Sequence, residues 1–486
     1  MMEWVIAIVY SAALLFIFLF SLGQLHLTWY FWKSKKTAAI SPAKLTDYPL
    51  VTIQLPVFNE KYVVLRLLEN VAKIDYPKDR LEIQLLDDST DETVEIAQAK
   101  ITELAAAGLN IVHVRRDDRQ GFKAGALKYG MEIAMGEFLA VFDSDFLPKK
   151  DFLKKTLPYF QNEKTGMVQT RWGHINENYS LLTKLQAFGL DAHFTIEQSG
   201  RSQAGSFINF NGTAGVWRKT CIEDAGGWSA DTLTEDLDLS YRAQLNGWEF
   251  EYLQDVVAPA ELPVIMPAIK TQQYRWNKGA AETARKNLGN VWRSKIGFIH
   301  KVHATFHLFN SSVFLALLTA AILSVPILYL GKVNQQFDLL FSIGSVFLLG
   351  FLSVIIFYWT ATWSIRNTGG GRHFAQNFPF FLAFSMGLSL HNALAVFEGL
   401  INHKTPFIRT PKFNILSKKD SWKSNQYLKP KLSLITVSEG ILSLYFVFGL
   451  VSSLTMGNFQ MAFFHAMLAS GFGGIFFHSL APLKNA

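Results

Sequence analysis

Asp143 and Asp145 stand one residue apart directly after the apolar run 138–142. Two carboxylates at that spacing on a turning backbone can hold a hard divalent cation, which in turn neutralises phosphates; a solvated turn would carry the same pair. Asp87 and Asp88 follow the apolar run 81–86, where an acidic pair can accept hydrogen bonds from a nucleotide base or ribose, or cap a helix. Thr234-Glu235-Asp236 lies between Gly226-Gly227-Trp228 and an expected helix over 237–245, a position that a capping carboxylate also fills. Gln272-Gln273-Tyr274-Arg275-Trp276 opens a basic region. Its guanidinium fork can clamp a diphosphate and its indole can stack on a pyranose ring, unless both only anchor the chain at a membrane surface. All four clusters are expected in loops.

The elements that must position them come from two kinds of chain. Over 486 residues, half are apolar and 17% charged, too long for one simple domain and too apolar for an ordinary soluble protein. From 50 to 267 the pattern is that of an α/β domain, with short β-rich runs at 51–55, 81–86, 111–114 and 138–142. Room for crossover helices between the first three runs predicts a mainly parallel sheet with ligands beyond its carboxyl ends. Asn59 is expected to cap a helix carrying Val63, Val64, Leu67, Leu68 and Val71; Ser89 and Glu92 read as a capping box for the next, ended by Gly108. The single cysteine, Cys221, excludes an intrachain disulfide and a Cys-based zinc or iron–sulfur site.

Outside that domain the chain reads as membrane. Residues 1–36 form an N-terminal anchor, an apolar run closed by Trp29, Tyr30, Phe31 and Trp32 and then by Lys33, Lys35 and Lys36, expected to be uncleaved with its N-terminus outside. Residues 268–303 hold the Arg275-Trp276 cluster and an interfacial helix in which Arg285, Lys286, Arg293, Lys295 and Lys301 alternate with Trp292, Ile296, Phe298 and Ile299. Two spans are expected in 304–363 and two in 432–481. The segment 401–431 carries Lys404, Arg409, Lys412, Lys418, Lys419, Lys423, Lys429 and Lys431, whereas 331–336 and 457–458 hold one base between them. The positive-inside rule therefore puts 401–431 on the side of the α/β domain. That side requires 377–400, with His391, Asn392 and Glu398, to be interfacial or re-entrant, leaving about five spans. The turn Gly369–Gly371 has no assigned task.

Taken in order, the clusters resemble the D, DxD, TED, QxxRW set of the processive membrane glycosyltransferases of family 2. Gln-Leu-Pro-Val-Phe-Asn-Glu at 54–60, Gly-Phe-Lys-Ala-Gly-Ala-Leu at 121–127, Phe-Asn-Gly-Thr-Ala-Gly-Val-Trp-Arg at 210–218 and Gly-Gly-Trp at 226–228 are most similar to the cellulose-synthase-like mannan and glucan synthases. Phe407-Ile408-Arg409-Thr410-Pro411-Lys412 is similar to the FxVTxK gating loop of cellulose synthase, with Arg409 in place of Val. The resemblance implies a GT-A fold that takes a nucleotide sugar, UDP-glucose or GDP-mannose. By it, Asp88 contacts the nucleoside, Asp143 and Asp145 bind the diphosphate and its Mg²⁺ or Mn²⁺, Lys123 and Arg275 lie at the same donor, and Asp236 is the general base. Glu235, Gln272 and Trp276 face a glycan acceptor, and Phe407, Thr410 and Lys412 form the gate. Attack from the opposite face of the sugar would invert the anomeric carbon.

The sequence has no G-x-G-x-x-G, no G-x-x-x-x-G-K-[ST] and no H-E-x-x-H, so dinucleotide oxidoreductases, P-loop ATPases and zincins lack their devices. Basic residues cluster beside apolar runs, which points to a lipid bilayer rather than nucleic acid. The expectation is an integral membrane glycan synthase with a cytosolic catalytic domain, in a plasma, inner or Golgi membrane, with room for accessory export subunits. Transfer of one sugar to a lipid acceptor is the alternative. A passive carrier would need no base at Asp236.

Overall fold

The computed structural model describes residues 2–34, 42–333, 347–366, 368–423, 425–428 and 432–485. Lys35, Lys36, Lys429, Lys431 and parts of the segments 331–336 and 337–363 lie outside the described residues.

Seven strands form one sheet: β1 (Val51–Val57), β2 (Leu81–Asp87), β3 (Ile111–Val114), β4 (Phe138–Val141), β5 (Thr165–His174), β6 (Gly215–Arg218) and β7 (Glu249–Ala260). Their order is β3-β2-β1-β4-β6-β5-β7. β3, β2, β1 and β4 run parallel, β6 is antiparallel to both neighbours, and β5 pairs parallel with β7. β2 is buried at every position, as a strand covered by helices on both faces must be. The order reverses between β1 and β4, which opens a crevice beyond their carboxyl ends. The residues following those ends, Phe58 to Glu60 and Asp143 to Asp145, are therefore brought to one place.

The helix after β1 spans Val64–Val71 and buries Val64, Leu67, Leu68 and Val71 against the sheet. Its N-cap is Val63 rather than Asn59. Asn59 adopts a left-handed φ of 54°; its N–H donates to Ser89 Oγ at 2.8 Å, and its Oδ1 accepts from Thr90 N at 2.9 Å. The expected capping box fails for the same reason, since Ser89 holds the neighbouring loop. Asp91 Oδ1 instead accepts from Thr93 N at the start of Thr93–Ala106. Gly108, at φ 82°, follows that helix as expected.

Met266–Arg293 is one helix with Pro267 in its first turn, so the Gln272–Trp276 cluster is helical, not a loop. Proline there has no N–H to lose and its φ already suits a helix. The basic face of this helix does not lie on lipid throughout: Lys286 pairs with Asp231 at 2.8 Å and Asp238 at 3.0 Å, and Arg285 donates to Asn402 at 2.6 Å. The shorter Phe298–Leu308 helix, with exposed Phe298 and Ile299, carries the interfacial character.

Among the described residues, five helices are long and apolar enough to cross a membrane: Met2–Ser34, Asn310–Leu330, Leu349–Arg366, Leu434–Thr455 and Phe459–Leu483. Gly370–Gly387 and Ser389–Leu400 form a pair bent by 49°. Both ends of this pair meet the α/β domain and its continuation, with His373 beside Glu177 and Glu398 beside Lys278.

Candidate functional site

The crevice is a cleft of about 1240 Å³. Every residue to which the resemblance assigns a role lines it: Asp88, Lys123, Asp143, Asp145, Glu235, Asp236, Gln272, Arg275, Trp276, Phe407, Thr410 and Lys412; Asp87, the other half of the acidic pair, is buried outside it and paired with His113 at 2.8 Å. β2 delivers Asp88, whose two oxygens accept from Arg116 at 2.9 and 2.5 Å. A carboxylate has further lone pairs, so this pairing orients Asp88 without exhausting it. β4 delivers Asp143 and Asp145. Asp143 Oδ1 lies 2.6 Å from Lys123 Nζ, and Asp145 Oδ2 lies 2.6 Å from Lys412 Nζ.

Asp145 is buried, and its Oδ1 has no partner. An orphaned buried carboxylate oxygen beside a second carboxylate is a hard-oxygen donor set. It suits Mg²⁺ or Mn²⁺, which keep waters and take remaining ligands from substrate phosphates. Among the described residues no group of three His, Cys, Asp or Glu side chains could hold a metal.

Glu235–Leu245 is a helix whose first turn holds Glu235 and Asp236. The Leu237 N–H donates to Asp236 Oδ1 at 2.8 Å. Burial, and then the charge of Glu235, push the Asp236 carboxyl up to about 7 against the opposing pull of Lys123. A carboxylate poised there can take a proton near neutral pH. Burial alone would depress the Lys123 ammonium, but Asp143, Glu235 and Asp236 outweigh it and hold that group above its usual range.

The Met266–Arg293 helix presses on this loop where a side chain cannot fit. A Cβ on Gly279 would stand 2.5 Å from Thr234 Cγ2 and 2.8 Å from Thr234 N. That contact sets Gln272, Arg275 and Trp276 across from Asp236. The Trp276 ring lies 6.3 Å from that of Trp172, tilted by 55°, so two indoles border one end of the cleft. Ion pairs bind the helix to the membrane half: Lys270 with buried Glu439 at 2.6 Å, and Lys278 with Glu398 at 3.2 Å.

Residues 403–423 form a strap over the opening. Phe407 stacks on Phe122 with ring centres 5.5 Å apart and lies under the Arg275 guanidinium at 4.8 Å. Thr410 accepts from Arg275 at 3.0 Å. Arg409 pairs with buried Glu60 at 2.9 Å and lies over the Tyr427 ring. Burial raises the Glu60 carboxyl to about 7 despite Arg409 and Lys412. Glu261 fastens the strap from below, accepting from Phe413 N and Ile415 N at 3.1 Å each.

Sequence reasoning missed Glu60, Arg116, Arg119, Trp172 and Glu261. Arg119 lies 3.3 Å over the Phe58 ring at the same opening. Glu60 was visible in the 54–60 match but had no assigned task; the others carry no spacing signal, because they meet the site only through tertiary packing.

The model of the family described as "Glycosyltransferase like family 2" matches residues 49–284. Probable glucomannan 4-beta-mannosyltransferase 4 of Oryza sativa subsp. japonica is 37% identical over 370 residues, 75% of this chain and 65% of that protein. Glucomannan 4-beta-mannosyltransferase 1 of the same organism is 36% identical over 396 residues, 78% of this chain and 72% of that protein. The chain thus spans about two thirds of the length of these relatives. A mannosyltransferase from Pyrobaculum calidifontis, solved in complex with GDP-Man and Mn²⁺, superposes with a TM-score of 0.55 at 19% identity, covering 83% of this chain and 100% of that one. That likeness shows the GT-A fold.

Proposed function

The chain belongs to glycosyltransferase family 2, and on that premise we propose that it transfers a mannosyl residue from GDP-mannose to a β-linked glycan held in the cleft. The sugar rests on the names of the relatives, and UDP-glucose is the competing donor. The observation that carries the reading is the single cleft uniting Asp143 and Asp145, Arg275, Asp236 and Trp276.

In this mechanism Asp88 and the Phe58–Arg119 stack receive the nucleoside. Asp143 and Asp145 would hold Mg²⁺ or Mn²⁺, which when bound would neutralise the diphosphate. Arg275 and Lys123 add fixed positive charge beside the departing diphosphate, where charge develops as the sugar leaves. Trp276 and Trp172 set the acceptor sugar, and Asp236 removes the proton from its hydroxyl as that oxygen attacks the anomeric carbon. Attack opposite the leaving group inverts an α-linked donor to a β-linkage. Phe407, Thr410 and Lys412 close over the donor.

A second cavity of about 870 Å³ continues from Asp236 and Trp276 past Gln273 and Asn277 to Asn310 and Ser311, at the head of the Val313–Val333 helix. This path, with polar side chains set among apolar ones, supports a product that stays bound and passes into the membrane half; the positive-inside pattern of 401–431 supports a catalytic domain on the cytosolic face. Membranes carrying the chain are to be incubated with radiolabelled GDP-mannose or UDP-glucose in separate reactions, and the product sized. A long β-mannan is expected from GDP-mannose. A single-sugar lipid product would replace the polymer reading, and no transfer from either donor would overturn the function.

A further inference from the structure

A cavity of about 1130 Å³ lies outside the reacting cleft, between the ends of β5 and β7 and the corner joining Phe347–Arg366 to Gly370–Gly387. Arg171, His174, Glu177, Asp191, Arg372 and His373 are among its lining residues. Its carboxylates are already engaged: Glu177 faces Arg366 and His373, and Asp191 lies 3.2 Å from His174 Nε2. Positive charge is left over. Arg171 uses its Nε–H on Gln254 O at 3.0 Å, and Arg372 makes no hydrogen bond or ion pair with a described residue.

The same corner supplies backbone donors. Gly370–Gly387 starts from Gly369 at φ 85° with no side-chain cap, so its first-turn N–H groups lack intrahelical partners and stand at the positive end of the helix dipole. The side chain of His174 is only 4% exposed, yet its Nδ1 has no partner; His373 Nδ1 is likewise buried and unpartnered. The remaining N–H groups of Arg171, the Arg372 guanidinium, an uncapped glycine-rich helix start and buried imidazole nitrogens that donate when the ring carries both protons are together the chemistry that receives a phosphate.

We propose that this cavity binds a phosphate-bearing anion at the membrane face of the protein. Trp359 and Trp363, both exposed and stacked 5.9 Å apart, flank the corner, and exposed indoles at a helix end mark the headgroup level of a bilayer. An anionic phospholipid is therefore one source and a soluble phosphate the other. His174 lines both this cavity and the reacting cleft, and it closes β5 two residues after Trp172, so an occupant would steady the acceptor wall.

The test uses the full chain in nanodiscs and reads binding rather than transfer, so it stands apart from the glycosyltransferase reading. Thermal stability is measured in phosphatidylcholine alone, with added phosphatidylglycerol, and with added inorganic phosphate. Stabilisation by phosphatidylglycerol only identifies a lipid headgroup; stabilisation by inorganic phosphate as well identifies a site open to soluble phosphate. Native mass spectrometry should show retained phosphatidylglycerol, or bound phosphate, weakened about tenfold or more in the Arg171→Gln/Arg372→Gln variant, the effect of losing charge-assisted hydrogen bonds. An unchanged far-ultraviolet circular dichroism spectrum and gel-filtration volume show that the variant is folded, and Arg372→Gln alone serves if the pair does not fold. No stabilisation by either addition, or equal binding by a folded variant, overturns the proposal.

Discussion

Lys412 Nζ stands 2.6 Å from Asp145 Oδ2, so the strap places its own ammonium on a carboxylate that the donor's metal would need. On the proposed mechanism, strap and metal would compete for that carboxylate while the donor is absent. When a diphosphate is present, the same ammonium has a second anion to meet.

Lys412→Ala should accordingly act in opposite directions on two measurements. Mn²⁺ binding to the donor-free protein, followed by electron paramagnetic resonance, should tighten by about tenfold, the effect of removing one charge-assisted contact. The donor KM should rise. Unchanged values of both would reduce the strap to a positive-inside loop.

Asp145→Ala and Asp236→Asn should separate binding from chemistry. The first should lose metal-dependent nucleotide binding and turnover together. The second keeps shape and hydrogen bonding but cannot accept a proton, so calorimetry should find donor binding near wild type while transfer falls about 10²–10⁴-fold. Wild-type turnover by Asp236→Asn would return the Thr234–Asp236 cluster to a helix cap.

The pH profile follows from the same carboxylate. Asp236 must be ionised to take a proton, and its carboxyl is raised to about 7, so kcat should climb through that region and level off above it. Glu235 contributes to the rise. In Glu235→Gln the midpoint of the climb should therefore move to lower pH, and a move to higher pH would contradict the assignment.

Topology can be probed without background labelling, because the one native cysteine, Cys221, is buried and its thiol is pushed far up by burial. Exposed Lys418 lies in the strap. A Lys418→Cys chain should resist an impermeant thiol reagent in intact cells and label after permeabilisation. Ready labelling of intact cells would place the strap outside.

The acidic clusters and the Arg275-Trp276 pair were legible because their residue types recur in a fixed order. Their local structure was less so. The Gln272–Trp276 cluster looked like a loop because its polar residues interrupt any apolar stripe, although Pro267 was a readable helix start. Asn59 and Ser89 have side chains that serve equally in caps and turns, and the meeting of two loops beyond β1 and β2 decided between them. Arg116 and Arg119 acquire meaning only when β3 brings them beside Asp88 and Phe58, which no local pattern encodes.

The ion pairs Lys270–Glu439 and Lys278–Glu398 have a consequence for dissection of the molecule. The helix bearing Arg275 and Trp276 is tied at two levels to the bilayer half, and the strap returns from that half to meet Asp145 and Glu60. A water-soluble fragment ending before Met266 would keep the sheet and its acidic residues while lacking the wall that faces Asp236. Such an excised half cannot be transplanted between relatives as a portable catalyst; the unit that can be exchanged includes the membrane helices.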